Sequence, residues 1–411
     1  MERSLEKSKI IINLEEEIKK GNIGALQEFW AKIETEGTPI IEEIKGDNKN
    51  GLVTFVLNGD EGTENVLFLP PLNRIDLEKN KMDRLLETNL WYISYKVRND
   101  IRFRYDMTIN DTFDDDWTAR QAKLIYDKLN RNKLIFKEDG EEDEIVSYVV
   151  MPKAEEYLWI KERSHVPKGI VYEHSLESEK LEDTRRIRVY TPHNYDKEAK
   201  PYGFLLLTDG NEYLNILSAP TVLDNLIADK KIPPIVVIFI DSTKTRYEEL
   251  TCSDDFGHVI AEDLIPWVRE NYNISSNPEE GIIGGLSLGG LTASYLGLKH
   301  SEVFGNVLSQ SGSYWYKPDG YEGTESDCWM STQFEAIDKL PLKFYLNIGI
   351  VENKDKMIDT NINLRDLLIS KGYQVDFEYF KGGHDYLSWG ETLANGLISL
   401  IGYNNDAKCN D

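Results

Sequence analysis

The stretch Gly284-Gly285-Leu286-Ser287-Leu288-Gly289-Gly290 places one hydroxyl among four glycines. A Gly-x-Ser-x-Gly set between a strand and a helix is the pattern of a nucleophile elbow, whose strained serine needs small residues two positions before and after it. Here those residues are Gly285 and Gly289. Residues 281–286 read as a buried strand and the chain from about 288 reads as a helix, so Ser287 falls at the junction. Its hydroxyl would stand at the C-terminal edge of the sheet, where α/β sites form. The Leu288 N–H, at the helix start, would point at the same spot and could stabilise an oxyanion. The plain alternative is a packing turn that happens to contain serine.

A serine hydroxyl needs a base at neutral pH. In this architecture the expected chain order is serine, acid, histidine. Only His300 and His384 lie downstream of Ser287. His300 closes the helix behind the elbow and reads as a cap. His384, in FKGGHDYLSW after the predicted strand YQVDFEYF, is the base candidate. The acid is expected after the strand LKFYLNIGI, where Glu352 comes first and Asp355 and Asp359 follow. Glu352, nearest the strand end, is favoured and Asp355 is the runner-up. A carboxylate there would orient the imidazole and stabilise its cation. Asp385 is expected to face away. A second oxyanion donor should come from the loop after YGFLLLTDG, with an amide of Gly210, Asn211 or Glu212. Asp209 is expected to bond backbone and shape that loop.

The elements that must position these residues fall into two grammars. Residues 5–33 have helical spacing, and LVTFVLNG and ENVLFLPPL read as strands. WYISYKVRNDIRFRYDM (91–107) alternates apolar odd positions with Lys96, Arg98, Arg102 and Arg104 at even ones, which predicts a hairpin with one basic face. That face is either solvated or turned toward an anionic ligand. EDGEEDEIV (138–146) reads as an acidic loop entering a strand. These signals predict an N-terminal β-sandwich-like domain with a leading helix, over 1–165. From 166 to 411, strands that are apolar throughout alternate with helices, which predicts an α/β domain with a mostly parallel sheet.

The bulk numbers bound the partners. The chain has 411 residues, 40% hydrophobic and 11% aromatic, enough for sizeable cores. A formal charge of −25 argues against nucleic acid or anionic membrane as partner. No apolar stretch is long enough for a signal peptide or a membrane span. The cysteines Cys252, Cys328 and Cys409 are sparse and odd in number, which fits reduced thiols in the cytoplasm. No spacing suggests a structural zinc site, and no cofactor is expected.

GGLSLGGLTASYLGLKHSEVFGNVLSQSGSYW (284–315) with KGGHDYLSW (381–389) resembles the enterochelin esterases, esterase-D-like α/β-hydrolases. EFWAKIETEGTPIIE, VTFVLNG and MDRLLETNLWYISYKVRNDIRFRYDM resemble that family's N-terminal β-domain. The resemblance spans most of the chain. It implies a cytoplasmic serine esterase that opens the trilactone of a catecholate siderophore such as enterobactin or bacillibactin. It implies Ser287 as nucleophile, His384 as base and Glu352 at the acid position, with some members closer to dyads. Iron would arrive only with the substrate. A trianionic ferric catecholate calls for cations and flat apolar faces. Lys244 and Arg246 are the first candidates, with Arg246 alternatively bridged to Glu248 or Glu249. Trp315 and Trp389 are candidate walls, or core. Arg102 or Arg104 could contribute from the N-terminal domain. A feruloyl-type carboxylesterase, a non-catalytic ferric-siderophore carrier and an acyltransferase on the same fold are the alternatives.

Overall fold

The computed structural model describes residues 2–4, 6–70, 76–136, 143–324 and 327–403. Residues 138–142 of the expected acidic loop at 138–146, and Cys409, lie outside the described residues. Two compact units emerge, one of residues 1–156 with 381–385, the other of 157–380 with 386–411. Residues 157–165, expected with the N-terminal domain, belong to the second unit. Their backbone explains this: Asn225 Nδ2 donates to the carbonyls of Trp159 and Lys161 at 2.7 and 2.9 Å, and the Leu158 and Trp159 N–H groups donate to Glu391.

In the N-terminal unit the expected single helix is two, Lys9–Lys19 and Ala25–Glu36. Ser8 caps the first, accepting from Ile10 and Ile11 N–H. Gly21, at φ +87°, ends its turn and separates the two helices. One antiparallel sheet runs in the order Glu2–Arg3, Leu90–Arg98, Asp47–Asn58, Ile40–Ile44, with Asp83–Arg84 also on Leu90–Arg98. The other runs Val66–Leu69, Arg102–Ile109, Glu144–Val150, Lys133–Phe136. Aromatic rings from both sheets fill the space between them. Phe55 lies 4.2 Å from Phe68 and 4.6 Å from Tyr105 between centroids, and Phe68 lies 5.2 Å from Tyr95.

The expected hairpin at 91–107 does not form. Leu90–Arg98 pairs with Asp47–Asn58, whereas Arg102–Ile109 pairs with Val66–Leu69 and Glu144–Val150. The turn between them carries the chain from one sheet to the other. The alternation was sound, but the apolar faces look at each other across a sandwich rather than sharing one sheet. Leu90 and Tyr92, even positions, are buried too, because the two helices cover that face with Ile11, Phe29 and Ile33.

The second unit is built on eight strands in the order Ile170–Ser178, Asp183–Thr191, Ile235–Ile240, Gly203–Leu207, Gly281–Leu286, Asn306–Gln310, Lys343–Gly349, Gln374–Phe380. The first three pair antiparallel and the remaining pairs are parallel. Burying both faces explains the unbroken apolar runs. Leu288–Lys299 and Asp359–Ser370 cover one face, and Ala219–Ala228 and Tyr386–Ile401 cover the other. The expected helix 256–271 is present but widens to a π turn at Val259–Leu264. Pro266 follows that turn and has no N–H to return to a carbonyl. Among the described residues no helix is long and apolar enough to cross a membrane.

Candidate functional site

Ser287 takes φ 56°, ψ −118°, directly between the strand Gly281–Leu286 and the helix Leu288–Lys299. A non-glycine residue held there costs about 1–3 kcal/mol, so its surroundings must over-determine it. They do. Ser287 N–H donates to Gln310 O at 2.9 Å, and its carbonyl accepts from Ser313 N–H at 2.9 Å. Close packing fixes the two flanking glycines. A Cβ on Gly285 would lie 2.5 Å from Gly289 O and 2.7 Å from Thr208 Oγ1, and one on Gly289 would lie 2.3 Å from Thr208 Oγ1. Leu288 begins the helix, so its N–H has no carbonyl within the helix to bond.

Ser313 was not singled out from the sequence, yet its Oγ lies 3.2 Å from Ser287 Oγ. The parallel register Leu286↔Gln310 sets this up, since the residues after both strands meet at one edge. SQSGS holds the last two residues of that strand and the three after it, and this was the available signal.

Glu352 is buried (7% exposed) just past the strand Lys343–Gly349. Its Oε1 accepts from Ser311 Oγ at 2.7 Å and from Gly349 N–H at 2.9 Å. Ser311 Oγ also accepts from Trp389 Nε1 at 3.1 Å. Asp355 is exposed, and Asp359 pairs with Lys354 at 2.6 Å. His384 is exposed, in the segment 381–385 that groups with the N-terminal unit. There Lys381 pairs with Glu155 at 2.6 Å.

The loop after Gly203–Leu207 opens the helix Gly210–Asn215, so Gly210 and Asn211 stand in its first turn. Gly210 presses on the neighbouring strand, where a Cβ would lie 2.8 Å from Phe239 Cβ and 2.9 Å from Ile240 N. Tyr213, on the same helix, donates to Gln310 Oε1 at 2.7 Å, and Gln310 Nε2 donates to Trp389 O and Thr392 Oγ1. Full burial pushes the Tyr213 phenol far above its ordinary value, so it stays a donor. Burial, with the charge of Asp209 next, pushes the Glu212 carboxyl up.

Several expected substrate contacts are differently engaged. Arg246 does not bridge Glu248 or Glu249. Its Nε and Nη2 donate to Asp209 Oδ1 and Oδ2 at 2.6 and 2.7 Å. Asp209 correspondingly binds side chains rather than backbone, taking Ser242 Oγ at 2.5 Å as well. Trp389 is core, 2% exposed on the helix Tyr386–Ile401, because its indole N–H is needed at Ser311. Trp315 is half-buried against the main core. Lys244 is exposed beside Arg246 in the loop after Ile235–Ile240. In the N-terminal unit Arg104 pairs with Asp106 at 3.0 Å and Arg98 with Asp100 at 2.9 Å, so acidic neighbours answer part of the basic face, while Arg102 donates to the Glu155 backbone carbonyl. Among the described residues no cluster of three or more His, Cys, Asp or Glu could hold a metal ion.

Comparison with known proteins bears on both units. Residues 52–160 match the model of the enterochelin esterase N-terminal domain, and residues 178–400 match a putative esterase family. The chain is 25% identical over an alignment of 419 residues to an iron(III) enterobactin esterase of Dickeya dadantii, covering 91% of this chain and 92% of that one. It is 28% identical over 343 residues to the iron(III) enterobactin esterase of Escherichia coli K12, covering 79% and 82%. A crystal structure of the enterobactin esterase of Shigella flexneri, obtained in the presence of enterobactin, is similar with a TM-score of 0.73 at 26% identity, covering 89% and 96%.

Proposed function

Because the chain belongs to the enterochelin esterases, an N-terminal domain of that family joined to an esterase domain, we propose that it hydrolyses the trilactone of a catecholate siderophore such as enterobactin or bacillibactin. It is a carboxylic ester hydrolase. The observation that carries the mechanism is the elbow itself: Ser287 at φ 56°, ψ −118°, with Gly285 and Gly289 packed too tightly for any side chain.

In this reading Ser287 Oγ attacks the lactone carbonyl carbon while its proton passes to His384. The carbonyl oxygen becomes an oxyanion, held by the N–H of Leu288 and by an N–H from Gly210 or Asn211. Collapse breaks the bond to the leaving alkoxide, which takes the proton from His384. Water then attacks the acyl-enzyme by the same route, returning Ser287 and releasing the acid. Glu352 is the acid this reading assigns to the histidine, and it is buried just past the strand Lys343–Gly349. The reaction asks no cofactor of the protein, since iron enters as part of the substrate. The compartment proposed is the cytoplasm, in keeping with three sparse cysteines, of which Cys252 and Cys328 are free thiols.

The test mixes purified protein with ferric and iron-free catecholate trilactones and follows products by mass spectrometry beside Ser287→Ala. Linear trimer, dimer or monomer that vanishes in the variant supports the proposal. Intact trilactone beside a simple aryl ester cleaved through Ser287 would keep the esterase and remove the siderophore. Tight ferric-ligand binding without cleavage would make the protein a carrier.

A further inference from the structure

Aspartate is among the preferred helix N-caps because its carboxylate accepts the N–H groups of the first turn. Asp209 occupies that position on Gly210–Asn215 and makes no such bond. Its backbone is left-handed, at φ 54°, ψ 46°, and the residue is 1% exposed. The carboxylate is instead turned onto the Arg246 guanidinium, gripped at both oxygens, with Ser242 Oγ as a third donor. It also sits against the nucleophile's helix, since a Cβ on Gly289 would lie 3.4 Å from Asp209 Oδ2.

Arg246 is itself held from behind. Asp241, at the start of its loop, accepts from Arg186 Nε at 2.6 Å and from Arg188 Nη2. Glu249, one turn after Arg246, accepts from Arg185 at 2.9 and 2.7 Å and from Thr245 Oγ1 at 2.6 Å. Arg185 is fully buried and also donates to Asp241 O at 3.1 Å. Three arginines of one strand thus anchor both ends of the segment that presents Arg246. Glu212 and the Tyr386 phenol also lie near the pair.

We propose that Arg246 draws the Asp209 carboxylate out of the capping position, so that the Asn211 N–H, which a capping carboxylate would take, stays open for the oxyanion. The proposal rests on Ser287 being the nucleophile. Arg246 has a second effect in the same place, cancelling a buried negative charge that would oppose the oxyanion. Both residues are positioning residues, acting through the amides rather than on the substrate.

The experiment uses the full chain, a neutral 4-nitrophenyl ester and an arylboronic acid, whose tetrahedral serine adduct carries the oxyanion's charge. Arg246→Met and Asp209→Asn should each lower kcat about 10- to 100-fold with KM within about two-fold, given that losing one oxyanion donor costs about 10²–10³. Boronate affinity should fall in step. The double variant should lose about as much as one single, and Arg246→Lys, charged but without the fork, should fall between. Ser242→Ala, which keeps the ion pair, should show a smaller loss in the same direction should the stronger variants fail to fold. Unchanged kcat and boronate affinity in folded variants would overturn the proposal. So would a loss seen in KM, and only with an anionic ferric ligand, for that would make Arg246 a substrate clamp. Wild-type protein that binds no boronate would overturn the serine-esterase reading itself, a distinct result.

Discussion

Each unit contains a buried aspartate gripped bidentately by an arginine, and the two pairs are put to different use. In the N-terminal unit Arg120 Nε and Nη2 donate to Asp111 at 2.8 and 2.9 Å, with Arg120 also donating to Asp114 O. Asp111 is otherwise occupied with local backbone and Thr108, and its side chain closes a loop. In the second unit the same fork holds Asp209, whose backbone is left-handed and whose neighbours are the first turns of two helices at the sheet edge. Identical chemistry serves fold stability in one place and the geometry of amides in the other. What surrounds the pair decides which.

That contrast can be broken by substitution. The largest effect belongs to the sheet edge: Ser287→Ala should lower ester turnover by about 10⁴-fold or more while the melting temperature stays within a few degrees, read by paired kinetics and calorimetry. Arg120→Ala should do the reverse, costing about 3–5 kcal/mol of stability by stranding a buried carboxylate, with kcat of the surviving folded protein little changed. Denaturant melts of both variants decide this, and equal losses of kcat in the two would erase the distinction. Gly289→Ala comes next. Its Cβ would meet Thr208 Oγ1 at 2.3 Å, so both stability and kcat should fall, and Thr208→Ala should restore part of each in the double variant.

The smallest expected effect is in pH. The hydrogen bonds from Arg120 hold the Asp111 carboxyl below its ordinary value. A depressed carboxylate adds stability that is fully present above its unfolded value, near 3.8, and is lost as pH falls through the folded value. Asp111→Asn should therefore flatten the acid limb of the stability curve below about pH 4.5 and lower its plateau. An unchanged acid limb in that variant would remove the pair from the acid response.

Much of this was legible in the chain because it is local. A strand, a glycine–serine turn and a helix occupy consecutive residues, so the elbow and its flanking glycines could be read directly. Glu352 was placed by the same logic, a carboxylate just past a strand end. The sandwich was legible as a class but not in its pairing. Alternation in residues 91–107 says which side chains are buried, and a hairpin and a sheet-crossing turn bury the same ones. Side-chain partners were the least legible part. Nothing near Arg246 in sequence names Asp209, thirty-seven residues earlier, because parallel strands bring distant loop ends together. Trp389, read as a wall or as core, stayed open for a related reason: an aromatic near a catalytic-type loop looks like a wall until a helix carries it inward to Ser311.

The most direct test of the central claim is acid-quenched mass spectrometry of the enzyme during turnover of a catecholate trilactone. The account predicts a peptide containing Ser287 that gains the mass of the opened ligand, absent from Ser287→Ala. Turnover without that adduct, at an equal rate in Ser287→Ala, would contradict it.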